Sequence, residues 1–267
     1  MDLEAAREAT LGREQGLPPS RKSRLSRALE VVFRFRYALH LLVYLGGFAI
    51  SWAGFRGLQL QRVWLALPEV ISRFFGTDLN RAIVAVTTGA ILFAAAAALL
   101  RTWGTAYLGA GAVTDSQLHG QEIAVRGPYR YVRNPLYLGT LLHTLALCVL
   151  MSWAGAIFTL VATLLLQVGM VAAEEEYLAG QAPVAYNLYR QRVRRFLPHV
   201  LHPEASPGGQ AQWGRAVLCE IYMWGAAISF TAFGSSYNAL PILQGLLVSL
   251  GVSIVVHGLM SKRAPAG

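Results

Sequence analysis

Uncharged apolar runs near the length that a bilayer demands recur along this chain, and they leave few folds open. A membrane-crossing helix needs ~20 apolar residues, because lipid offers its backbone polar groups no partner outside the helix. Such runs lie at about 37–55, 82–100, 136–153, 154–173, 216–233 and 240–260. They predict an all-α fold: a polytopic membrane helix bundle of about six transmembrane helices, with interfacial amphipathic helices. Composition agrees, since 55% of the 267 residues are hydrophobic and only 14% are charged, against about 25% charged in a soluble domain.

The 23 Lys+Arg against 14 Asp+Glu give a net charge of +9. These basic residues flank the apolar runs, where the positive-inside rule and anionic headgroups place them, so nucleic acid is not the expected partner and membrane lipids are. Residues 1–20 read as a polar tail without the apolar core of a cleavable signal. Arg21, Lys22, Arg24, Arg27, Arg34 and Arg36 form a basic, amphipathic approach to the first run. With six spans, this approach, the basic 101–135 and 174–215 segments and Lys262-Arg263 fall on one side. That side is expected to be the cytoplasm, with both termini on it and the chain in the cell (inner) membrane. The connections at 151–155 and 234–239 carry no charge. The 56–81 connection carries Arg56, Arg62, Arg73 and Arg81 among Leu58, Leu60, Val63, Leu65, Val70, Ile71, Phe74 and Phe75, which predicts an interfacial helix. Cys148 and Cys219 are far apart inside apolar runs and have neither metal-ligand spacing nor a disulfide pattern. The chain thus divides into a tail and approach (1–36), two N-terminal spans (37–100), a core built on a helical hairpin (101–199), and a linker with two further spans (200–267).

Two polar clusters mark a candidate site. The first, Arg126-Gly-Pro-Tyr-Arg-Tyr-Val-Arg-Asn-Pro-Leu-Tyr-Leu-Gly139, precedes the third run; the second, Glu174-Glu175-Glu176, ends the fourth. The turn between those runs is short, so the hairpin should bring both clusters together on one face. Tyr186, Tyr189, Arg190, Val193 and Arg194, at spacings of three and four, predict an amphipathic helix bounded by Pro183 and Pro198. Arginine forks suit a carboxylate or phosphate, carboxylates suit hydroxyl or ammonium groups, and aromatic faces attract cations. That set suits a zwitterionic, cation-centred cofactor such as S-adenosylmethionine, and equally a phospholipid headgroup. Asn134-Pro135 also reads as an ordinary helix N-terminus. His40, His143 and His257 lie within or at the end of apolar runs, as packed polar residues or haem ligands. Glu220 reads as an interfacial or hydrogen-bonded bundle residue.

The Gly127–Gly139 stretch resembles the Arg-His-Pro-x-Tyr-x-Gly motif of the isoprenylcysteine carboxyl methyltransferase family and its phospholipid methyltransferase relatives. The order continues with Arg101-Thr-Trp103 and Tyr107-Leu-Gly109 upstream, Glu174-Glu175 downstream, then Tyr186-Asn-Leu-Tyr189, Arg192-Val193 and Phe196-Leu-Pro198, covering roughly residues 100–199. The resemblance implies a membrane methyltransferase that uses S-adenosylmethionine on a lipid-tailed acceptor, by carboxylate O-methylation or amine N-methylation. Carried over by position, Tyr129, Arg133, Asn134, Pro135, Tyr137, Glu174, Glu175, Tyr186 and Tyr189 would hold the cofactor. Arg133, Arg192 and Glu175 would act on the acceptor, from a pocket open to the cytoplasm, and no metal is implied. In two places the chain departs from the pattern. Asn134 replaces the motif histidine, so this position cannot titrate near neutral pH. Ala182-Pro183 replaces a Phe-Gly pair, and two further spans follow where the family element normally ends the protein. These departures and the intramembrane histidines support an alternative: a non-catalytic membrane sensor or haem/lipid-binding protein on the same fold.

Overall fold

The computed structural model describes residues 32, 35–52, 61–108, 126–198, 210–236 and 239–262. The 21–31 part of the basic approach, Arg56 and the linker from 199 to 209 lie outside them. The described residues form nine α-helices and one 3-10 turn, with no strand. The helices are α1 (Arg36–Trp52), α2 (Val63–Phe75), α3 (Leu79–Leu108), α4 (Pro135–Cys148), α5 (Trp153–Gln181), α6 (Pro183–Arg192), α7 (Trp213–Cys219), α8 (Ile221–Ser236) and α9 (Ala239–Lys262).

Each of the six apolar runs holds a helix among the described residues, but they do not make six full-length spans. Three helices, α3, α5 and α9, are long and apolar enough to cross a membrane, and the bent pair α7–α8 makes a fourth if it acts as one span. The apolar stretches Arg36–Ile50 and Pro135–Cys148 are shorter. The cause in α4 is visible: the helix stops at Cys148 and turns, so Met151 to Trp153 belong to the hairpin bend and the next helix. Ser152 caps α5, its Oγ accepting from Gly155 N at 3.2 Å. The segment entering α2 ties to that bend, with Val63 N donating to Met151 O and Trp64 N to Val149 O. α2 therefore sits at the hairpin tip, away from the two polar clusters.

Small residues set the close contacts. Ala90, Ala94, Ala97 and Ala98 form a fully buried stripe on α3, which packs chiefly against α4 and α8. Between α8 and α9 the contact is reciprocal: a Cβ on Gly225 would collide with Ser249, and one on Gly245 with Ser229. Without a hydrophobic drive between helices in lipid, such close backbone approach supplies the packing energy. α1 packs chiefly on α5, and α9 chiefly on α8.

At the opposite end from the hairpin tip, α5 runs on past the apolar stretch to Gln181. The three glutamates thus lie within a helix rather than after one. α6 follows after a break at Ala182, with Pro183 at its first turn, where a missing N–H costs nothing. The substitution of Ala-Pro for Phe-Gly is accommodated there without a positive φ among the described glycines of this region.

Candidate functional site

Both polar clusters meet at this end of the hairpin. Gly127 takes φ +52°, and a Cβ there would run into the Tyr107 ring, so the 3-10 turn Gly127–Arg130 can fold directly onto the end of α3. The turn buries Pro128 and Tyr129 and delivers Arg133 and Asn134 to the start of α4. Gly139 has a comparable role one helical turn below Pro135, since a Cβ would strike the Arg101 side chain that crosses α4 at this level.

Glu175, 8% exposed, organises the cluster. Its Oε1 accepts from Asn134 Nδ2 at 3.3 Å and lies 3.2 Å from Arg133 NH1. Arg195 grips the same carboxylate with both Nε and NH2, and this hydrogen bonding holds the Arg195 guanidinium above its ordinary pKa. Asn134 Nδ2 also donates to Arg195 O at 3.2 Å, and Arg133 N donates to Arg194 O at 2.9 Å. Asn134 stands at the N-cap position of α4, yet its side chain makes no capping bond, because its amide ties the 192–195 segment to Glu175. The helix-start reading of Asn134 therefore holds for position and not for side-chain chemistry.

From α6, Tyr186 and Tyr189 point inward and are buried with Val193 against Leu178 and Ala179. The Tyr189 hydroxyl donates to Tyr129 O at 2.9 Å. Burial raises the pKa of Tyr129, Tyr186 and Tyr189 above the ordinary phenol value, so all three are neutral at physiological pH. At 2% and 8% exposure, neither α6 tyrosine sits as an interfacial-belt residue. Arg192 lies on the exposed face of α6. Arg195, which the sequence reading passed over, makes the contact with Glu175.

A cavity of about 410 Å³ opens beside this cluster, within the ~300–1,000 Å³ range of small-molecule sites. Of the nine residues expected to hold a cofactor, Tyr129, Arg133, Asn134, Pro135, Tyr137 and Glu174 line it, whereas Glu175, Tyr186 and Tyr189 stand behind them as supports. Tyr137 donates to Glu174 Oε2 at 3.0 Å at the mouth of the cavity, the end nearest the two polar clusters. Farther in, the walls are Arg101, Thr140, His143 and Tyr222, with His40 from α1 and Ile254 from α9. Sequence reasoning assigned no ligand role to Arg36, Arg101 or Tyr222, because they come from helices outside the two motif clusters.

Two buried arginines share this cavity and differ in their hydrogen bonding. Arg101 donates through Nε and NH2 to the two oxygens of Glu220 at 2.7 and 3.0 Å, and through NH1 to Thr140 Oγ1 at 2.9 Å. Glu220 also accepts from Thr105 at 2.8 Å and occupies the 68° break between α7 and α8. By contrast, Arg133 Nε has no partner among the described residues, and its NH1, though near Glu175, is not aligned for a hydrogen bond. The Tyr129 hydroxyl is likewise buried and unpartnered. Unsatisfied buried donors are rare and costly, so several in one cavity point to a polar occupant.

His40 and His143 also line the cavity, while His257 bonds back to Ser253 in its own helix. No group of three or more His, Cys, Asp or Glu among the described residues could hold a metal ion, and Cys148 and Cys219 are free and buried.

Residues 84–181 match the family model described as phospholipid methyltransferase. The match runs from early α3 through the end of α5 and leaves α1, α2 and α6–α9 outside it. No curated protein and no solved structure matches the chain.

Proposed function

We propose, from the match of residues 84–181 to the phospholipid methyltransferase family model, that the chain is a membrane methyltransferase that transfers a methyl group from S-adenosylmethionine to a lipid-tailed acceptor. The observation that carries the reading is Arg133 in the cavity wall with Glu174 and Tyr137: its Nε and NH1 have no hydrogen-bond partner among the described residues, although NH1 pairs by charge with Glu175.

The residues present fit that cofactor by charge and hydrogen-bonding capacity. Arg133 has donors left over for its carboxylate, and arginine forks match carboxylates well. Glu174 can accept from ribose hydroxyls or face the sulfonium. The Tyr129 and Tyr137 rings offer faces that attract a cation. When bound, the cofactor supplies an electrophilic methyl group on a positively charged sulfur.

The chain's own contribution is positioning. Glu175 holds Arg133, Asn134 and Arg195 together, and Tyr189 holds the Tyr129 turn, so these groups are assembled before any ligand arrives. Orientation and exclusion of water can lower such a barrier by ~7–11 kcal/mol at best. An acceptor tail would enter from the bilayer between α1 and α9, which both line the cavity but pack mainly on other helices. The site is proposed to face the cytoplasm, where the basic segments place it.

The test is methyl transfer itself. Purified chain, labelled S-adenosylmethionine and extracted membrane lipids should give a labelled lipid by mass spectrometry, and the product should vanish with Glu174→Ala. No labelled product from any lipid fraction would remove the reading.

A further inference from the structure

The inner end of the cavity carries a second demand for a ligand, separate from the mouth. His143 is 1% exposed, its Nε2 lies 3.1 Å from the Tyr222 hydroxyl, and its Nδ1 has no partner. His40, from α1, has a buried and unpartnered Nε2. The rings form a row across three helices: Tyr44 stands 6.3 Å from His40 and 6.0 Å from His143, which stands 5.3 Å from Tyr222. His143 follows Asn134 by nine positions on α4, placing it ~13 Å deeper along the helix axis.

The tautomer of His40 is fixed by its neighbour. Its Nδ1 lies 2.6 Å from Arg36 O, and a carbonyl oxygen can only accept, so Nδ1 carries the hydrogen. In the neutral ring Nε2 is then a bare acceptor, which needs an O–H or N–H from a ligand. A carboxylate cannot supply one. An ammonium could, but it would need a carboxylate at this end to offset its charge; Glu220 is already taken by Arg101 and Thr105, and Glu174 stands with Tyr137 near the start of α4. A hydroxyl both donates and accepts, so it suits His40 Nε2 and also suits His143 Nδ1 in either tautomer.

We propose that the inner end of the cavity, at His40 and His143, is a binding subsite for an uncharged hydroxyl group on a hydrophobic body. Resting on the methyltransferase reading, this gives the acceptor a hydroxyl that anchors its body ~13 Å from the mouth, apart from the atom that takes the methyl group. Leu41, Leu250 and Ile254 line the way from this end toward the seam between α1 and α9 and take the apolar part. Because Tyr222, Leu250 and Ile254 lie beyond the segment that matches the family, the subsite depends on α8 and α9.

The test uses the full chain in lipid nanodiscs and three probes with one tail and different heads: octanol, octanoate and octylammonium. Calorimetric titration, corrected for partitioning into protein-free discs, should show saturable octanol binding at least ~10-fold tighter than either charged probe. His40→Phe should weaken octanol by a similar factor and leave octanoate and octylammonium unchanged. Octanoate or octylammonium binding as tightly as octanol in wild type overturns the proposal, even if His40→Phe fails to fold. So does unchanged octanol affinity in a folded His40→Phe protein, or a haemin Soret band that is lost in His143→Phe. S-adenosylmethionine is titrated separately into the wild type. Octanol binding without cofactor binding keeps the subsite and removes the methyltransferase reading, and the reverse pattern overturns the subsite alone.

Discussion

Arg101 and Arg133 line one cavity and are both largely buried, 12% and 10% exposed, yet they do different work. Arg101 directs its fork onto Glu220 and its remaining terminal nitrogen onto Thr140 and the Leu136 carbonyl, so little of it is left for a ligand. Arg133 shares Glu175 with Arg195 and Asn134, and its Nε and NH1 make no hydrogen bond among the described residues. The first is a bolt between α3, α4 and the C-terminal helices; the second is the proposed anion site. Burial and charge are nearly the same in the two, and the number of committed hydrogen bonds separates structure from function.

The largest expected effect lies on the bolt. Glu220→Gln leaves the Arg101 charge buried without its counterion, which should cost about 3–5 kcal/mol of stability. Thermal unfolding of the purified chain would measure it, and an unchanged midpoint would break the contrast between the two arginines. On the other side, Arg133→Lys keeps the charge but loses the fork, and should weaken S-adenosylmethionine by about 1.5–3 kcal/mol with little change in unfolding. A calorimetric affinity equal to wild type would show that the fork is not used. Gly139→Ala pushes a methyl group into the Arg101 stem and should destabilise by about 1–3 kcal/mol. Its unfolding midpoint checks whether the crossing is as tight as described. The smallest effect is Tyr189→Phe, which removes one hydrogen bond to Tyr129 O and should cost about 0.5–1.5 kcal/mol. Denaturation with and without cofactor would tell whether that loss falls on the fold or on binding.

What could be read in advance follows from how local each signal was. The helical class, the hairpin and the meeting of Arg133 and Asn134 with Glu174 and Glu175 were legible, because apolar run length and a short turn determine them. The membrane-span count was not, because α4 ends five residues before its apolar run does, and run length does not show where a helix stops. Arg195 was missed in favour of Arg192 because the family pattern carries Arg192 over by position, whereas Arg195 acts from the segment after the helix. The Arg101–Glu220 pair joins residues 119 apart in sequence, on helices with no shared motif, so only the packing of α7 and α8 on α3 brings it into being. The inner histidines were seen singly; their common cavity depends on α1 and α4 both facing it.

The central claim is that the uncommitted donors of Arg133 make the cavity mouth a methyl-donor site. Titrating S-adenosylmethionine into the purified full chain, beside Arg133→Ala, tests it most directly. The account predicts saturable binding in wild type and at least ~100-fold weaker binding in the variant, the loss expected for two charge-assisted hydrogen bonds. Absence of binding in wild type, or undiminished binding in a folded Arg133→Ala protein, would contradict it.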